Sequence, residues 1–178
     1  MALLAVLAVA MVVPSPAAAA DPAPTVAPQT ETATAAAPTE VLGPETGQPL
    51  PRFVSLKGEV GNARRGPSQS HRIDWVFKRQ GMPLQVVGEF GNWRQVRDRD
   101  GAGGWMHYIL LSRSRSVIIQ DDLTPLLVSP EANAAVRARA EAGVIARLGP
   151  CRDGFCRVQV GRTRGWVDRT ALWGVDDE

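Results

Sequence analysis

The stretch Gly81-Met82-Pro83-Leu84-Gln85-Val86-Val87, continued by Asn92-Trp93-Arg94-Gln95-Val96 and Gly104-Trp105-Met106-His107-Tyr108-Ile109-Leu110-Leu111, is written twice in this 178-residue chain. The second copy reads Gly143-Val144-Ile145-Ala146-Arg147-Leu148, then Gly154-Phe155-Cys156-Arg157-Val158, then Gly165-Trp166-Val167-Asp168-Arg169-Thr170-Ala171-Leu172. Gly81 falls on Gly143, Trp93 on Phe155 and Val96 on Val158, each 62 residues on. Trp105 falls on Trp166 at 61, one residue having been lost in the intervening turn. Self-similarity at a fixed period means two copies of one domain rather than one large fold around an active site. Units of roughly 60 residues bury only small cores, which argues against catalysis.

Within each copy the apolar residues mostly alternate, as in Phe155-Cys156-Arg157-Val158-Gln159-Val160. Gly91-Asn92, Asp100-Gly101, Asp153-Gly154 and Gly161-Arg162 separate the runs and are hairpin signals. Short strands at this spacing, without a long amphipathic helix, indicate an all-β chain of two small antiparallel barrels. Ser129-Pro130-Glu131 and the Ala-rich residues to Ala142 have the composition of a helix start. Val136, Ala138 and Ala140, however, alternate with Arg137 and Arg139, and the repeat sets them opposite the strand-like Asp74-Trp75-Val76-Phe77-Lys78. The expectation is a strand.

Cys151 and Cys156 flank Arg152-Asp153-Gly154-Phe155. With Asp153-Gly154 as a two-residue turn, Cys151 faces Cys156 one pair out from the loop, where Cα atoms lie about 4.5 Å apart. That spacing suits a disulfide, and closing so short a loop stabilises by about 2 kcal/mol. The equivalent positions in the first copy are Glu89 and Arg94, where an exposed salt bridge is expected. A redox dithiol would instead want C-x-x-C at a helix start.

Residues 1–20 read as a signal peptide: an apolar run to Val13, then Pro14-Ser15-Pro16 and small residues to Ala20. No Lys or Arg precedes Arg52, so the usual basic leading segment is missing. The run is shorter than the roughly 20 residues that span a bilayer, so stable membrane insertion is not expected after cleavage. The expected location is periplasmic or extracellular. Residues 21–51 hold seven Pro, four acids and no base, with few large apolar side chains, and read as a disordered linker. The two domains then occupy 52–112 and 113–178.

The formal net charge of +2 is unevenly spread. Residues 52–112 carry ten bases and five acids, near +5, whereas 113–178 carry ten and nine, near +1. A basic first domain favours an anionic polymer, and for an exported chain nucleic acid is the poorest of these. No catalytic constellation is present. His71 and His107 are the only histidines, no H-x-x-x-H or C-x-x-C occurs, and no Gly-rich phosphate loop follows a strand. Neither a metal nor a cofactor is expected. Asp121-Asp122 and Asp176-Asp177 read as solvated charges.

The residues resemble the bacterial SH3-like domains, in the tandem form found in exported proteins of Gram-negative bacteria. Carrying the resemblance are Pro51-Arg52-Phe53-Val54-Ser55-Leu56-Lys57, Asn62-Ala63-Arg64-Arg65-Gly66-Pro67-Ser68, Asn92-Trp93-Arg94-Gln95-Val96 and Gly103-Gly104-Trp105, then Gly165-Trp166-Val167 and Leu172-Trp173-Gly174-Val175. It implies barrels of five to six strands and a non-enzymatic binding or targeting role toward cell-wall glycan or peptide. The alternative is a scaffold docking on another envelope protein. The second copy has Pro125, Leu127, Ser129 and Pro130 where the first has Asn62, Arg64, Gly66 and Pro67. Trp105 and Trp166 are expected in the core. Trp93, beside a turn, is expected to line a shallow groove with Arg64, Arg65, His71 and Tyr108, suited to stacking and bidentate Arg contacts.

Overall fold

The chain's structure, a computed structural model, describes residues 41–176. The expected signal peptide and the linker as far as residue 40 lie outside the described residues. Strands β1 (Val41–Leu42) and β2 (Pro49–Leu50) form a small hairpin. Then follow β3 (Arg52–Leu56), β4 (Gly61–Arg64), β5 (Ile73–Phe77), β6 (Pro83–Phe90), β7 (Trp93–Arg97), β8 (Gly103–His107) and β9 (Leu111–Ser112). They make one antiparallel sheet in the spatial order β5-β4-β8-β7-β6-β3-β9.

The second domain repeats this plan. Its strands are β10 (Ser116–Ile119), β11 (Thr124–Leu127), β12 (Val136–Ala140), β13 (Ile145–Arg152), β14 (Phe155–Val160), β15 (Thr163–Asp168) and β16 (Leu172–Trp173). Their order, β12-β11-β15-β14-β13-β10-β16, matches the first sheet strand for strand. The repeat therefore corresponds to one fold used twice. Each sheet has seven strands rather than five to six, because a 3₁₀ turn (Tyr108–Leu110, Arg169–Ala171) returns the chain for a further two-residue pairing. The segment with a helix-like start forms β12, as the alternation of Val136, Ala138 and Ala140 requires.

Period two places alternate residues inside. Leu56, Leu84, Val86, Val96 and Met106 close the first core, and Ile119, Leu126, Ala146, Val158 and Val167 the second. Each large aliphatic side chain so buried contributes about 1.5–3 kcal/mol. Trp166 is buried as expected, while Trp105 stays half-buried. The Cys151–Cys156 disulfide forms in the expected register, with Cα atoms 3.9 Å apart. Asp153 and Gly154 have φ of 54° and 77°, the positive pair a tight two-residue hairpin needs and one that Asp and Gly tolerate.

Three readings of the sequence need correction. Residues 41–51 are not disordered linker: the β1–β2 hairpin is held to the first domain by Glu89. That carboxylate accepts from the Glu45 and Thr46 backbone N–H groups at 3.1 and 2.9 Å and from Thr46 Oγ1 at 2.7 Å. Arg52 Nη2 lies 2.5 Å away and Arg94 Nε 3.4 Å. Glu89 and Arg94 do face each other across β6 and β7. The pair is buried rather than exposed, since the hairpin covers it and the Glu89 side chain is 0% exposed. Burial pushes the Glu89 carboxyl up. The hydrogen bonds from Thr46, Arg52 and Glu45 outweigh that and lower it from 4.5 to about 2.

Asp176, read as a solvated charge, joins the two domains. Its carboxylate accepts from the Phe53 N–H at 3.2 Å and pairs with Arg115 at 2.6 Å, while Arg169 donates to its carbonyl. Beside it Phe53 meets Trp173 edge-on, ring centroids 5.0 Å apart. The hydroxyls of Ser55 and Ser116 meet at 2.5 Å across the same junction.

Candidate functional site

A cleft of about 510 Å³ opens in the first domain between β4, the starts of β7 and β8's end, and the 3₁₀ turn at Tyr108–Leu110. Arg64 stands on one wall, with Asn62 and Gln69, and Trp93, His107, Ile109 and Leu110 form the other. Trp93 and His107 are cross-strand partners at the open end of the β7–β8 ladder, so their rings meet edge-on at 5.4 Å. Tyr108, the next residue, stacks on His107 at 5.0 Å with the planes 27° apart. His107 also caps the turn, its Nδ1 accepting from the Ile109 N–H at 3.4 Å.

Of the five residues expected here, Arg64 and Trp93 line the cleft, and Tyr108 flanks it, 52% exposed. Arg65 and His71 are not brought in. Arg65 lies one residue past the end of β4 and is not among the residues lining the cleft that Arg64 enters. Arg65 pairs with Asp74 at 3.1 Å, and Arg72 with the same carboxylate at 2.7 Å. Those hydrogen bonds, Arg65's first, hold the Asp74 carboxyl below its usual range. The His71 ring lies over Gly66, where a Cβ would come within 2.5 Å of Nε2. Its main-chain carbonyl, rather than its ring, serves the site by accepting from Arg64 Nη1 at 2.6 Å.

The sequence reading missed His107, Asn62, Gln69, Ile109 and Leu110. His107 was missed because a two-residue turn at Asp100-Gly101 would set Trp93 opposite Tyr108, whereas the longer loop between Arg97 and Gly103 sets it opposite His107. The cleft is cationic, with Arg64 its only charged wall residue. It offers a guanidinium, amides and aromatic faces, which suits holding an extended polar ligand by hydrogen bonds and ring stacking. Among the described residues no group of three or more His, Cys, Asp or Glu could hold a metal ion. No helix among them is long and apolar enough to cross a membrane.

Comparison with known proteins gives these elements a family. The family described as bacterial SH3 domain matches residues 57–113 and again residues 120–174, together more than half of the chain. The chain belongs to that family and carries its domain in tandem. Bacterial SH3 domains are generally binding modules. Among solved structures the chain is similar to NlpC2 and NlpC1 from Trichomonas vaginalis, at 14% identity and TM-score 0.33 in both cases. The match covers 71% and 74% of this chain and 51% and 48% of theirs, so the chain spans about half the length of each. No curated protein matches in sequence.

Proposed function

We propose that this protein is an exported binding module whose first domain holds an extended cell-envelope ligand, a cell-wall glycan or peptide, in the Arg64–Trp93–His107 cleft. The observation that carries this reading is the cleft's composition: a cationic wall opposite a Trp–His–Tyr ring cluster, with no carboxylate among its lining residues. A sugar or peptide backbone stacks on such rings, and an anionic group meets the guanidinium. The surplus of bases in 52–112 adds attraction toward an anionic polymer.

Retention of the purified protein on insoluble cell wall tests this, with an unrelated soluble protein as the control. Arg64→Ala should weaken retention by about 1–3 kcal/mol, as loss of a charge-assisted hydrogen bond does. Arg65→Ala, one residue away but facing Asp74, should leave retention close to the parent's. Retention should also fall between 50 and 500 mM NaCl, as the Debye length drops from about 14 to about 4 Å. Equal retention of Arg64→Ala and parent would overturn the assignment. Washing through with the control would favour docking on another envelope protein.

A further inference from the structure

The second domain carries the same cleft with the opposite lining. Leu127 stands where Arg64 does, each paired across the sheet with a tryptophan, Trp166 or Trp105. Phe155 replaces Trp93, and Asp168 replaces His107 down to its capping role, accepting from the Thr170 N–H at 2.8 Å and Thr170 Oγ1 at 2.6 Å. The resulting cleft, about 420 Å³, has an apolar floor of Leu127, Val136, Phe155 and Ala171. Its rim holds three carboxylates, Asp121, Asp122 and Asp168, against one base, Arg139. Arg139 is turned to the Leu123 carbonyl at 3.2 Å, and Asp122 accepts from the Ala142 N–H at 2.9 Å. This acidic rim sits in a domain whose net charge is slightly positive.

Leu123, at the same cleft, is 63% exposed and has φ of 56°. A leucine is disfavoured in left-handed backbone, and its side chain here lies in water. Both unfavourable features are offset if a bound partner covers the side chain.

From this lining we infer that the second-domain cleft docks an extended segment of a partner protein in which large apolar side chains alternate with Lys or Arg. The apolar floor takes the side chains, and the three carboxylates meet the bases. An anionic wall polymer is repelled by that rim, and a glycan finds neither the guanidinium nor the tryptophan of the first cleft. The chain then has two heads of different specificity. This inference stands independently of the ligand proposed for the first domain.

The test uses the full chain, isotope-labelled for NMR, and three ten-residue peptides. One alternates Lys or Arg with Leu or Phe, a second has Glu at every base, and a third has Ser at every Leu and Phe. The first peptide should shift the signals of Leu127, Phe155 and Ala171, and the other two should bind at least tenfold more weakly. Asp121→Lys should weaken the first peptide about tenfold. Leu123→Asn, which suits left-handed backbone, should raise the melting temperature while weakening the peptide. That opposed pair of effects separates a docking residue from a structural one. The inference is overturned by shifts confined to the first domain, by no binding, by equal binding of the Ser peptide, or by parent affinity in both variants. Solubilised cell-wall fragments moving the same three signals would likewise overturn it.

Discussion

Replacing Glu89 by Gln keeps the shape of the side chain and removes its charge, which makes it the sharpest probe of how the first domain is held together. The carboxylate accepts from Thr46 Oγ1, from the Glu45 and Thr46 N–H groups and from Arg52, with Arg94 alongside. Its pKa is lowered from 4.5 to about 2. At ~1.4 kcal/mol per unit, that is about 3 kcal/mol of stability supplied by the ionised form. Because the folded value lies below the unfolded one, this stability is fully present above about pH 5. It is lost as pH falls through 4.5 toward 2. Glu89→Gln should therefore cost about 3 kcal/mol at pH 7, since Arg52 and Arg94 are left buried without a counter-charge. The variant's stability should also change less than the parent's between pH 5 and 2. Urea denaturation followed by tryptophan fluorescence at stepped pH measures both. A variant within about 1 kcal/mol of the parent at pH 7, or with the parent's acid slope, would refute the reasoning.

Other outcomes follow from the same geometry. Removing residues 21–40 should leave the unfolding free energy from urea denaturation unchanged, whereas removing 21–50 should lower it by about 2–3 kcal/mol, roughly 1 for each hydrogen bond Glu89 loses. Gly43→Ala should destabilise the first domain, because the new Cβ would lie 2.4 Å from Glu89 Oε2, and a thermal melt against parent reads the loss. Non-reducing mass analysis of protein purified without reductant should find two hydrogens missing, and Cys151→Ser with Cys156→Ser should cost the second domain about 2 kcal/mol. Two free thiols in air-oxidised protein would remove the basis for that figure.

Much of this architecture is legible in the residues because the signals are local or repeated. Asp153-Gly154 sets a turn, the turn sets the register, and the register brings Cys151 to Cys156. Alternation at Val136, Ala138 and Ala140 outweighs the helix-like start before it, since edge strand β12 gains its hydrogen bonds from β11. The unread features depend on distant partners. The β1–β2 hairpin sets Leu50 against the first core but exposes Val41 and Leu42, and it looks like linker by composition. What orders it is a carboxylate 43 residues away in sequence from Thr46. Asp176 likewise finds Phe53 at a separation of 123 residues. In the cleft, Arg64 and Arg65 look alike in sequence, and only the end of β4 at Arg64 and the neighbouring Asp74 separate the one that enters from the one that does not.

The most direct test of the first-domain cleft is an NMR titration of the full chain with solubilised cell-wall fragments, reading the Trp93 indole N–H and the His107 ring. Saturable shifts at these two residues and at Arg64, with Arg65 and the second-domain cleft unmoved, are the predicted result. Shifts confined to other surfaces, or saturable binding that leaves Trp93 and His107 unchanged, would contradict the account.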